Sequence, residues 1–170
     1  MAPDEPGWQL IDDFISEEGS TRTATTTRRY ERMRARLTYF LDTADMADSL
    51  GAQNATLLEA EREFHEQGAF WQVFGPDELV CCLPAFLADP WIPGSVVQAR
   101  TQISLTGRLL TYLSRRRLLD FSLVRCAFLE AEAAVVQARA DLSVRARAAE
   151  PDEWAADVPA RLRQEPGPQW

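Results

Sequence analysis

Near the end of the chain, Phe121, Val124, Phe128, Ala131, Val135, Ala138 and Leu142 follow one another at alternating steps of three and four. Only a helix gathers such positions on one side, because 3.6 residues per turn return each step close to the same angle. A strand would scatter them over both faces. The stripe runs for about three heptads, too long to stay wet on a folded protein, so another helix must cover it. Helix-on-helix packing is therefore the expected architecture. Almost no period-2 alternation and no hairpin turn signal occur elsewhere to compete with it.

The rest of the chain carries the same period. In WQLIDDFISEEG, Leu10, Ile11, Phe14 and Ile15 are spaced for a helix that Gly19 ends. Threonines then offer N-cap oxygens to a second helix, in which Tyr30, Met33, Leu37, Phe40 and Leu41 recur at threes and fours. A third helix is expected from Asn54, with Thr56 and Glu59 as a capping box, Leu57, Leu58 and Phe64 as its apolar side, and Gly68 as its stop. Pro76 opens a short fourth helix with Leu79, Leu83, Phe86 and Leu87 buried, which Pro84 bends or divides. A long helix follows, with Ala99, Ile103, Leu109, Leu110 and Leu113 as its core stripe. The fold class is all-α, a bundle of five to seven helices. The organisation reads as a loose tail at 1–7, a helical domain at 8–120, an amphipathic helix at 121–148 and an acidic, proline-rich tail at 149–170.

Charge is unevenly divided. The 170 residues have a net charge of -8, and all 18 basic residues are arginine. Codon usage explains that identity as readily as selection for bidentate contacts does. Residues 20–41 hold six arginines and one acid, and residues 95–128 the same, while the remainder is strongly acidic. On the second helix Arg28, Arg32 and Arg36 form an i, i+4, i+8 row, with Thr25 and Tyr39 near the same face. On the long helix Arg100, Ser104, Arg108, Thr111 and Arg115 fall within about 80° of arc. Neither row contains an acid. Guanidinium groups interleaved with hydroxyls are what phosphate contacts need. The same arginines could instead pair with acidic segments of their own chain, such as EAEREFHE.

Other chemistry finds little support. There is no glycine-rich phosphate loop, no His-Glu-x-x-His and no nucleophile elbow, so no enzymatic activity and no cofactor are expected. Glu59, Glu63 and Glu66 share a face but lack histidine partners for a metal, and read as a solvated acidic surface. The single His65 lies in REFHEQ and reads as structural or exposed. Cys81, Cys82 and Cys126 are odd in number, have no CxxC spacing, and read as buried thiols on helix faces. No run of 18 apolar residues exists, so no membrane span is expected. The acidic MAPDEPGWQLIDDF lacks a signal-like apolar segment, and the cytoplasm is the expected location.

The order of these elements resembles the N-terminal core-binding domain of tyrosine recombinases (the phage integrase family), a SAM-like helical bundle. The resemblance rests on Thr25, Tyr30, Leu37, Phe40 and Leu41 in TATTTRRYERMRARLTYFLD. It continues with Asp77, Leu79, Phe86 and Leu87 in GPDELVCCLPAFL, and with Arg100, Ile103, Leu110, Tyr112 and Leu113 in ARTQISLTGRLLTYLSRRRLLD. It covers about residues 8–120. The family's catalytic domain, with its Arg, His-x-x-Arg and nucleophilic Tyr, has no counterpart here, and Arg117-Leu118-Leu119-Asp120 does not lead to the Asn-Pro that often ends the domain. The resemblance thus implies DNA clamping without strand cleavage, as in an accessory or regulatory protein of a mobile element. DNA is the expected partner, through Arg28, Arg32, Arg36, Tyr39, Arg100, Ser104, Arg108, Thr111 and Arg115.

The alternative is an acidic helical adaptor that binds a protein through the 121–142 seam. In that reading Phe121 and Phe128 dock on the chain's own bundle. Val135, Ala138 and Leu142 are left for a partner, a second copy or another protein.

Overall fold

The computed structural model describes residues 7–149, and all of its regular structure is helical. Eight helices occur among the described residues: α1 (Gly7–Gly19), α2 (Ala24–Thr43), α3 (Ala47–Leu50), α4 (Ala52–Arg62), α5 (Ala69–Val73), α6 (Pro76–Phe86), α7 (Val96–Arg115) and α8 (Phe121–Ala149). Eight is one more than the expected range of five to seven; α3 and α5, the two not placed in the sequence, are each about one turn long, too short to show a period. The tails expected at 1–7 and 149–170 lie outside the described residues, apart from Gly7 and Ala149, which are helical.

Local chemistry sets most boundaries. Thr23 Oγ1 accepts from the backbone N–H of Thr26 at 3.4 Å and caps α2. Pro76 opens α6, where its missing N–H costs nothing, and Glu78 reaches back to accept from the Gly75 N–H at 3.0 Å. Pro84 falls in the last turn of α6 and does not divide it. The third expected helix is shifted. Helix α4 starts at Ala52 and ends at Arg62, and Thr56, one turn inside it, donates to the Ala52 carbonyl instead of capping. Of its expected apolar side only Leu58 is buried; Leu57 and Phe64 are exposed. Gly68 is not that helix's stop: it takes φ 76° just before α5, and its N–H donates to Asp42.

Helix α7 is the centre of the bundle. Ala99, Ile103, Leu105, Leu109, Leu110, Tyr112 and Leu113 are buried against α2, α6 and α8. The stripe read from the sequence is thus the core, joined by Phe14, Leu37, Phe40, Leu79, Leu83 and Phe86. Two polar side chains are buried among them. Gln102 Nε2 donates to the Phe86 carbonyl at 2.7 Å, and Thr106 donates to the Gln102 carbonyl at 2.9 Å. Both are satisfied, as buried polar groups must be.

Helix α7 ends in a Schellman motif. Arg117 is left-handed at φ 55°, its N–H bonds the Ser114 carbonyl, and the Leu118 N–H bonds the Leu113 carbonyl. Asp120 then caps α8, accepting from the Ser122 N–H and hydroxyl. Those two hydrogen bonds, the hydroxyl's the larger, hold its carboxyl below the usual range. The turn reverses the chain, so α8 runs back antiparallel to α7 and also packs along α6. Gly107 makes the approach close: a Cβ there would lie 3.3 Å from Val135 Cγ1 and 3.4 Å from Arg139 Nη2. A glycine costs about 1 kcal/mol in mid-helix relative to alanine, and here it lets two helices meet.

This return path corrects the expectation for the seam. Val135, Ala138 and Leu142 are buried in their own domain, as are Val124 and Ala131. The most exposed of the seven is Phe121, at the open end by the turn. The second half of α8 has the N-terminal half of α7 and the end of α6 to lie on, so no uncovered stripe is left there for a partner.

Candidate nucleic-acid interface

Both basic rows lie on the solvent side of their helices. On α7 the buried residues occupy one arc, and Arg100, Ser104, Arg108, Thr111 and Arg115 fill the opposite one. On α2 the buried Tyr30, Met33, Leu37 and Phe40 leave Arg28, Arg32 and Tyr39 outward. Because α2 packs on α7, the two faces are neighbours. Arg29 and Arg32 of α2 line a narrow groove with Gln98 and Thr101 of α7.

The nine expected contact residues do not share one condition. Arg28, Arg32 and Arg100 are exposed and pair with no acid among the described residues. Tyr39 is 63% exposed, its ring 6.0 Å from that of Trp91. Arg36 is different. Its Nη2 donates to the Trp91 carbonyl at 2.6 Å and its Nε to Gln102 Oε1 at 3.3 Å, so it fastens the α6–α7 loop to the core. A guanidinium so engaged is a structural strut, which corrects its assignment as a free phosphate ligand.

The C-terminal half of α7 is neutralised from within. Arg108 Nη1 donates to Glu18 Oε2 at 2.8 Å and to the Tyr30 hydroxyl at 3.2 Å. Arg115 and Arg116 both reach Glu17, and Arg116 also lies over the Tyr112 ring, 5.2 Å from its centroid. Hydrogen bonds from Arg116, then Arg115, hold the Glu17 carboxyl below its ordinary value. The pairing partner is therefore α1, not the EAEREFHE segment. There, Glu59 pairs with Arg62 and Glu61 lies 3.2 Å from His65. Thr111 spends its hydroxyl proton on the Gly107 carbonyl at 3.1 Å, so it can accept but not donate outward. Ser104 has no hydrogen-bond partner among the described residues and keeps its donor.

Three residues not singled out in the sequence belong to the same surface. Arg29 lies one position from the α2 row. Arg139 of α8 sits over the N-terminal half of α7, and Thr101 lies between the two helices' arginines. Arg139 stands in a helix of nearly balanced charge whose apolar period was its dominant signal. Only the antiparallel return of α8 brings it beside Arg100. The result is a band across three helices: Arg28, Arg29 and Arg32, then Arg100, then Arg139.

The cysteines divide. Cys82 is buried, and burial pushes its thiol up to about 12; Cys81 is half-buried and also raised by burial. Cys126, expected to be buried, is exposed, because it lies on α8 away from the seam. No helix among the described residues is long and apolar enough to cross a membrane. Comparison of the chain with family models, characterised proteins and solved structures finds no match.

Proposed function

We propose that the protein is a DNA-binding module that grips the phosphate backbone through the arginine band, without catalysing a reaction. The observation that carries this reading is the separation of charge. Arg28, Arg29, Arg32, Arg100 and Arg139, on three packed helices, pair with no described acid, while α1 supplies Glu17 and Glu18 to Arg108, Arg115 and Arg116. The Debye length is about 10 Å at 0.1 M salt. Charges farther than that from the band are largely screened, and local charge weighs most in the encounter. Contacts of this kind bind across sequences and do not read bases. The resemblance to a recombinase core-binding domain agrees with the two helices that present the charge, α2 and α7, and implies a SAM-like fold; the cytoplasm is the proposed location.

The band, not the whole of both rows, is the proposed contact. Arg28→Gln with Arg32→Gln should weaken binding of a duplex of about 20 base pairs, measured by fluorescence anisotropy at low salt. Arg108→Gln should change it little, since its guanidinium is already held by Glu18. Equal losses from the two variants would show that binding does not follow the band. The adaptor reading has lost the surface it rested on, because Val135, Ala138 and Leu142 are covered by their own bundle.

A further inference from the structure

On the α8 side of α7 lies a groove of about 410 Å³. Its walls carry Arg100 and Ser104 from α7 and Arg139 from α8, and its apolar lining includes Ile103 and Leu142. No acid lines it. Glu132 is the nearest acid on the same face of α8, two turns before Arg139, roughly 10 Å along the axis. Gly107 is part of its construction. The Arg139 guanidinium lies where a side chain at 107 would begin, 3.4 Å from that Cβ position. That is about two turns, or roughly 10 Å, along α7 from Arg100, so it swings back along the groove to meet a phosphate that Arg100 also holds. The groove on the other side of α7, between α2 and α7, is about 30 Å³, too narrow to admit more than solvent.

We propose that the α7–α8 groove seats one phosphate of the DNA backbone, clamped between Arg100 and Arg139, with Ser104 donating a third hydrogen bond. The inference rests on the DNA-binding reading and deepens it, by carrying the contact onto α8 and assigning two arginines to a single phosphate. Guanidinium groups from two helices can approach one phosphate from opposite sides, each using its planar fork of donors. Ile103 and Leu142 provide an apolar surface for the adjoining deoxyribose. The volume is many times the roughly 30 Å³ share of a liquid water, enough for both groups.

Salt dependence counts the phosphates. Each neutralised phosphate contributes about 0.9 to the slope of log K against log salt, a factor of about 3.5 in affinity between 50 and 200 mM salt. Arg100→Gln, Arg139→Gln and the double variant are titrated with a duplex of about 20 base pairs across that range, alongside Arg32→Gln. Each single variant should weaken binding, because one fork of donors is lost, yet keep the slope, because the other arginine still neutralises the phosphate; the double should lose one such factor. A double variant that loses two factors would place the arginines on separate phosphates and overturn the clamp. Wild-type behaviour of Arg139→Gln beside a weakened Arg32→Gln would overturn the groove as a seat and leave DNA binding standing. No binding by the unaltered protein would overturn both. Arg100 and Arg139 are exposed, so matched thermal melts separate these outcomes from misfolding.

Discussion

Arg36→Met tests whether the arginine rows divide into struts and contacts. Methionine keeps most of the aliphatic stem and removes both hydrogen bonds. The 2.6 Å bond to the Trp91 carbonyl is charge-assisted, a type that contributes about 1.5–3 kcal/mol. The 3.3 Å bond to Gln102 Oε1 is weaker, but Gln102 is only 1% exposed, and its oxygen would lose its one described donor. An orphaned buried acceptor costs about 1–3 kcal/mol. The two effects overlap, since the Trp91 carbonyl keeps a 3.3 Å bond from Gln102 Nε2. A loss of about 3 kcal/mol follows, or roughly 6–12 °C in Tm for a chain of this size. Arg32→Met, four residues earlier on the same row, should stay within about 0.5 kcal/mol, as an exposed position without partners does. Thermal and urea unfolding followed by circular dichroism measure both. A Tm shift below about 2 °C for Arg36→Met would refute the strut, and Arg36 would return to the set of candidate phosphate ligands.

Leu142→Asp should destabilise by more than the roughly 2–5 kcal/mol of a buried Leu→Ala change, and by far more than Phe121→Asp, because Leu142 is buried and Phe121 half open. The reverse order in thermal melts would return the second half of α8 to a partner. Arg117→Gly should stabilise by about 1 kcal/mol, since residue 117 is left-handed at φ 55° and glycine removes that strain; an unchanged or lower Tm would contradict the Schellman geometry. With an aromatic disulfide reagent at pH 8, Cys126 should react first and Cys82 only on unfolding, its thiol being buried and pushed up to about 12. Fast labelling of Cys82 in the native protein, mapped by mass spectrometry, would contradict the packing of α6.

The helices were legible where the period was long. α2, α7 and α8 each run 20 residues or more, and their apolar stripes became the core with few exceptions. α3 and α5 were not, because about one turn contains no repeat. Thr56 and Glu59 matched a capping pattern that occurs inside helices as readily as at their starts. Most of each arginine row lies on a solvent face, as a helical wheel expects from spacing alone, but Arg36 turns inward to Trp91 and Gln102. The rows' partners were not legible, because Glu18 is 90 residues from Arg108 and Trp91 is 55 from Arg36, separations that only tertiary packing closes. Arg139 was missed for the same reason. Local charge counting left the part of α8 beyond residue 128 in the acidic remainder, and only the antiparallel return of α8 along α7 sets that arginine beside Arg100.

The salt dependence of DNA binding by the unaltered protein tests the central claim most directly. Five arginines at the band, two of them sharing a phosphate, correspond to about four phosphate contacts. The slope of log K against log salt should then lie near -3 to -4, from about 0.9 per contact. Affinity should therefore fall by roughly two orders of magnitude between 50 and 200 mM salt, whatever the duplex sequence. Absence of binding at tens of micromolar protein in 50 mM salt, or binding that salt leaves unchanged, would contradict the account.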